Sequence, residues 1–118
     1  MVMAVALAVT TGFACGSGSN GNGVECPSDV PASCPTDVPS WGKEVSVIIE
    51  NRCGQCHTAD GIEARQHNFG TYAQVYAQRT SILTQVGRCK MPPEDAAQPT
   101  AEERAAILGW LVCRAPEN

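Results

Sequence analysis

Aromatic side chains are scarce in this chain: Trp, Tyr and Phe make up 5% of its 118 residues. Few large groups are therefore on hand to fill an interior, and the stretch after residue 39 is small enough to be marginal on hydrophobic burial alone. Basic residues are also short, 8 Lys and Arg against 12 Asp and Glu, so the electrostatic footprint of a nucleic-acid-binding protein is missing. Three of the acids, Glu25, Asp29 and Asp37, precede Ser40, which leaves the remainder nearly neutral. No apolar run reaches the ~20 residues of a membrane-spanning helix. No segment alternates apolar and polar residues as a half-buried strand does, so the expected fold class is all-α.

Cysteine, by contrast, is plentiful, with 7 residues. Small domains that cannot bury enough apolar surface commonly recruit disulfides, a metal or a prosthetic group. Three stretches of different character follow one another. Residues 1–14 are apolar and uncharged, and fit the core and small-residue end of a secretory signal. Ala14-Cys15-Gly16-Ser17 then resembles a bacterial lipoprotein processing site, which implies a lipid on Cys15 and a membrane-anchored protein facing the periplasm. A cleaved soluble precursor and a plain apolar N-terminus are the alternatives. Gly12 three residues before Cys15, and the lack of Lys or Arg ahead of the apolar run, count on their side.

Residues 15–39 read as a tether and stalk. The Gly/Ser/Asn run at 16–23 buries too little to offset its ordering entropy. After it Cys-Pro-Ser-Asp-Val-Pro at 26–31 is echoed by Cys-Pro-Thr-Asp-Val-Pro at 34–39, and the prolines exclude a helix. Residues 40–118 are expected to form the working domain with three helices. The first spans about 40–52, with Ser40 as N-cap and Trp41, Val45, Ile48, Ile49 and Arg52 at helical spacing. The second, 71–87, starts with a Thr71/Gln74 capping-box pattern, carries Tyr72, Val75, Tyr76, Ile82, Leu83 and Val86, and ends at Gly87. The third, 100–113, has a Thr100/Glu103 capping box followed by Ile107, Leu108, Trp110 and Leu111.

One motif is sharp. Cys53-Gly54-Gln55-Cys56-His57 has the C-x-x-C-H spacing of a c-type haem attachment site. Two thiols three positions apart at a helix end can reach the two vinyl groups on one porphyrin edge, and the adjacent imidazole then lies under the iron. Competing readings of the two thiols are a zinc half-site, a redox pair and a structural disulfide. Zinc would want a second ligand pair, and Cys89 and Cys113 are too far apart in sequence to supply one; a redox pair belongs in a βαβ setting that is lacking here. For the sixth ligand, Met91 is the one methionine after the apolar leader, in a Lys-Met-Pro-Pro loop whose prolines restrict the backbone. Core filler is its plain alternative. His67 is the rival ligand, or else a solvated loop histidine.

With C-x-x-C-H after an amphipathic helix, Met-Pro-Pro after a second and a closing helix ending Trp110-Leu111-Val112-Cys113, the chain from about Trp41 to Pro116 resembles the class I cytochrome c family. The resemblance implies three helices around one covalent haem c, with the first and last helices crossing. Family members often have a proline soon after the motif whose carbonyl orients the ligating histidine. Thr58-Ala59-Asp60-Gly61 has none, so another backbone carbonyl of that loop is the expected partner of His57. Setting aside Cys15 for lipid and Cys53 and Cys56 for haem leaves four cysteines and three possible pairings. The expected ones are Cys89 with Cys113, beside the ligand loop, and Cys26 with Cys34 in the stalk. Arg52, Arg65, Arg79, Arg88 and Lys90 are candidates to pair haem propionates, with solvated surface charge as the plain reading. Trp41, Tyr72, Tyr76 and Trp110 are expected in the core and around the haem.

With both axial positions filled, the expected function is outer-sphere transfer of single electrons between redox protein partners, and no enzymatic activity. Two alternatives stand beside it. In one, Met91 is displaced and the iron binds a small ligand or peroxide; in the other, the chain is a haem-free, disulfide-held lipoprotein acting as an interaction module.

Overall fold

A computed structural model describes Cys15 and residues 25–118. The expected signal, 1–14, and the tether, 16–23, lie outside the described residues. A single π-helical turn, Trp41–Val45, runs directly into α1, Ser46–His57. The unpaired N–H groups at its start are met by Ser40 Oγ, which accepts from Lys43 N at 3.3 Å. Asn118 meets two more, from Trp41 N at 2.9 Å and Gly42 N at 3.1 Å. The two ends of the domain therefore lie side by side. Val45, Ile48 and Ile49 are buried, as the helical spacing requires. At the other end the Thr58 hydroxyl and N–H both donate to Gly54 O, at 2.7 and 3.0 Å, and the chain turns extended.

The expected second helix is two: α2, Tyr72–Ala77, and α3, Arg79–Gly87. They part at Gln78, whose backbone leaves the helical region (φ −105°, ψ 7°). Thr71 caps α2 by accepting from Gln74 N at 3.3 Å. The reciprocal half of a capping box does not form there, because the Gln74 side chain accepts the Thr71 hydroxyl instead. Gly87 is the last helical residue of α3, and the left-handed position that ends the turn is Cys89 (φ 54°). After α4, Ala101–Val112, whose Thr100/Glu103 capping box is complete, no further element follows. Among the described residues there is no strand, and the fold is all-α.

α4 buries the run Ala106 to Leu111 against α3 and the first helical turn. At its centre Trp110 is fully buried, stacks on Trp41 (centroids 5.3 Å apart, planes at 27°), and donates through Nε1 to Pro116 O at 2.9 Å. Tyr72 meets Trp41 edge-on at 5.4 Å and donates to Ala115 O at 2.8 Å, so the polar tips of Trp110 and Tyr72 both have a partner. Tyr76 differs from expectation: it is exposed, with the Arg79 guanidinium 4.0 Å above its ring.

The Cys/Pro repeat does not stand free of the domain. It is a strap across it, cross-linked by Cys26–Cys89 and Cys34–Cys113 (Cα separations 5.8 and 4.7 Å). These bonds replace the expected pairs Cys26–Cys34 and Cys89–Cys113. The physical reason is reach: eight residues kept extended by proline span roughly 25 Å, whereas a disulfide needs Cα atoms within about 7 Å. Pro35 and Pro39 lie against Gly109, where a methyl would already touch Pro35 at 3.4 Å. Asp29 binds Arg104 through both carboxylate oxygens, at 2.7 and 2.9 Å, and Arg104 also donates to Val86 O at 2.7 Å. The strap is thus tied to α3 and α4 together.

Two outcomes follow. Non-reducing peptide mapping should recover Cys26–Cys89 and Cys34–Cys113, and Cys34→Ser with Cys113→Ser should lose about 2–4 kcal/mol of unfolding free energy; a Cys26–Cys34 peptide would contradict the strap. The Arg104 guanidinium also holds the Asp29 carboxyl below its ordinary value. A depressed carboxyl pKa contributes stability above its unfolded value of 3.8 and loses it as pH falls through the folded value. Asp29→Asn should therefore lower the urea midpoint at pH 7 by the equivalent of under about 1 kcal/mol, and the difference from wild type should close in acid.

Candidate functional site

The C-terminal turn of α1 presents Cys53, Cys56 and His57 to one cavity of about 390 Å³, within the range of small-molecule and cofactor sites. Ile82 and Val86 of α3 supply apolar wall, and the loop after α3 adds Met91, Pro92 and Pro93. Residues 38 positions apart in sequence, Cys53 and Met91, thus line the same space. Met91 is carried there by a tight turn in which Lys90 N and Met91 N both donate to Gln85 O, at 2.8 and 3.2 Å. Cys26–Cys89 anchors that turn two residues earlier.

His57 is buried, 9% exposed, and its orientation is set from three sides. Nδ1–H donates to His67 O at 2.8 Å, which is the backbone carbonyl that the missing proline left unassigned. In the neutral ring this leaves the lone pair on Nε2. Phe69 stacks on the imidazole (4.4 Å, 20°), and Phe69 N donates to His57 O at 2.7 Å. The loop is drawn close because Gly61 lies on the Cys56 carbonyl, where any Cβ would collide with backbone.

His67 also borders the cavity, but its ring is turned to Gln78, whose Oε1 accepts from Nδ1 at 2.8 Å. Gln78 Nε2 donates to Asn68 O at 3.2 Å. Of the candidate anion partners, Arg52 reaches the cavity wall and binds Glu103 through two bonds, at 2.8 and 3.2 Å. Arg79 is held on Tyr76, by its ring and its carbonyl at 2.9 Å. Arg65, Arg88 and Lys90 are exposed. Trp41, Tyr72 and Trp110 pack together elsewhere, and the aromatic ring at the cavity is Phe69.

The cysteines differ among themselves. Cys53 is unpaired, and burial pushes its thiol up to about 12. Cys56 is disulfide-bonded to Cys15, with Cα atoms 5.8 Å apart. A sulfur in that bond carries neither lipid nor a thioether, so the pair and the expected modifications of Cys15 and Cys56 exclude each other on one molecule. Among the described residues, no three His, Cys, Asp or Glu side chains gather as a metal-ion cluster, and no helix is long and apolar enough to cross a membrane. Phe69 and Gln78 escaped the sequence reading. Phe69 follows no periodic pattern, although it is the one phenylalanine after the leader, and a glutamine within a helical pattern reads as solvated surface.

Compared with family models, with curated proteins and with solved structures, the chain matches none.

A thiol raised to about 12 is ionised to roughly one part in ten thousand at pH 8. In haem-free chain, Cys53 should therefore resist iodoacetamide at pH 8 while folded and react promptly in denaturant, as read by mass spectrometry. Equal rates in the two conditions would mean that its burial is not as described.

Proposed function

We propose that this cavity holds one covalent haem c and that the protein passes single electrons between redox protein partners in the bacterial cell envelope. The observation that carries the proposal is the convergence of Cys53, Cys56, His57 and Met91 on a single cavity, with the Nδ1 proton of His57 already committed to a backbone carbonyl. The donor set fits the group. Cys53 and Cys56 would hold it by thioethers, and His57 Nε2 and Met91 Sδ would be the ligands offered to its iron. When bound, haem c supplies a one-electron couple.

The chain's own contribution is orientation and shielding. The His67 carbonyl fixes the tautomer of His57, as a second shell does for metal-ligating histidines. Ile82, Val86, Phe69 and Pro93 exclude water from the cavity wall. The His67 backbone carbonyl meets Nδ1 of His57 and the His67 ring is engaged by Gln78, which supports Met91 over His67 as sixth ligand. A thioether on Cys56 requires that its bond to Cys15 be open; lipid on Cys15, and with it anchoring to the periplasmic face of a membrane, is proposed on the same condition. The two strap pairs, Cys26–Cys89 and Cys34–Cys113, agree with an oxidising compartment.

One observation favours a second reading. With Cys56 closed onto Cys15, the same fold is a haem-free module cross-linked three times, whose role would be interaction.

Periplasmic expression with the cytochrome maturation proteins, followed by a haem stain on a denaturing gel, separates the two. A stained band absent from Cys53→Ala, Cys56→Ala is expected. No band, together with a Cys15–Cys56 peptide, would overturn the haem reading. In the stained protein, Met91→His should lower the reduction potential, since thioether ligation raises it.

A further inference from the structure

We infer that Gln78 is a positioning residue for His57, acting through the peptide unit between His67 and Asn68. Its consequence for a bound iron rests on the proposed function; its effect on the His57 ring does not.

The helical pattern from Tyr72 onward has no proline and no glycine before Gly87, yet the helix breaks at Gln78. What the break accomplishes is visible in the side chain. Gln78 Oε1 accepts from His67 Nδ1–H at 2.8 Å, while Nε2 donates to Asn68 O at 3.2 Å. The Asn68 carbonyl can only accept, so it fixes the orientation of the amide, and the amide in turn fixes Nδ1 of His67 as the protonated nitrogen. Only a primary amide offers a donor and an acceptor at that spacing. Glutamate keeps the acceptor and loses the donor, and an alkyl side chain loses both.

The two bonds bracket the peptide unit whose carbonyl, His67 O, accepts from His57 Nδ1 at 2.8 Å. One bond grips the residue before that unit and the other the residue after it, so the carbonyl is held against rotation. His67 is otherwise exposed, and its backbone N–H is satisfied locally by Glu63 O at 2.8 Å. Freed from Gln78, the carbonyl could turn to water. His57 would then be able to move its proton to Nε2, the nitrogen the cavity needs bare. The chain of contacts is Gln78 to the 67–68 peptide unit to His57.

The test reads the His57 ring directly. Ring nitrogen shifts by ¹⁵N NMR report the tautomer, and the exchange rate of the Nδ1 proton reports its hydrogen bond. Both are recorded on the chain as isolated, in the diamagnetic ferrous form if it carries haem and directly if it does not. Wild type should show the proton on Nδ1. Gln78→Ala should show about tenfold faster exchange of the Nδ1 proton, the equivalent of one hydrogen bond lost, and in the haem-free chain, where no iron occupies Nε2, a mixture of tautomers as well. Gln78→Glu, which keeps the His67 contact, should fall between the two, and it decides the matter alone if Gln78→Ala does not fold. A merely structural role would lower the melting temperature and leave tautomer and exchange unmoved, and that result in a folded variant overturns the inference. The two proposals fail separately: a chain without haem whose His57 tautomer follows Gln78 refutes only the cofactor, and a haem-bearing chain indifferent to Gln78 refutes only the positioning role.

Discussion

Stacking of Trp41 on Trp110 joins the start of the first helix to the end of the last, and the remaining elements are arranged around that junction. The ring pair supplies in one place the apolar area that an aromatic-poor chain cannot spread through its interior. Around it the buried set is small and mostly aliphatic: Val45, Ile48, Ile49, Ile107, Leu108 and their neighbours. Tyr72 closes one side of the cluster and leads into α2, so the same junction sets where α3 begins and hence where its cavity-facing residues lie. The far end of α1 lacks such filling and opens onto the cavity.

The helices were legible because their signals are local. Ser40, Thr71 and Thr100 cap where their hydroxyls predict, and the apolar spacing of Val45, Ile48 and Ile49 matches their burial. The C-x-x-C-H residues and Met91 were legible as a set, because covalent spacing and a proline-rich loop leave marks in sequence. Their sharing of one cavity was not, since it depends on how α1 and α3 pack. The disulfide pairings and the strap were misread for a related reason. Cysteines that match in a short repeat suggest each other as partners, whereas the prolines between them favour extended backbone, and each cysteine is bonded just past a different helix end. Gln78 was invisible because its task is tertiary. Nothing in its neighbours distinguishes a glutamine facing solvent from one holding a loop eleven residues away.

The environment of His57 is built from main-chain groups and one aromatic ring. Gly61 allows the loop to fold down onto the end of α1, Phe69 covers the ring, and the His67 carbonyl accepts the hydrogen bond from Nδ1–H. Each of these contacts uses the main chain or an uncharged ring. The same sulfur chemistry that cross-links the strap reaches this site too, because the one free valence of the Cys56 sulfur is used by Cys15.

The two strap bonds interlace: Cys26 joins Cys89 and Cys34 joins Cys113, so each loop encloses one end of the other. A single backbone cut at any point between Cys26 and Cys113 therefore leaves both pieces joined by at least one sulfur bridge. A protease nick in the loops at 59–68 or 94–98 would leave one molecule instead of two fragments, with the walls of its cavity still tethered to each other.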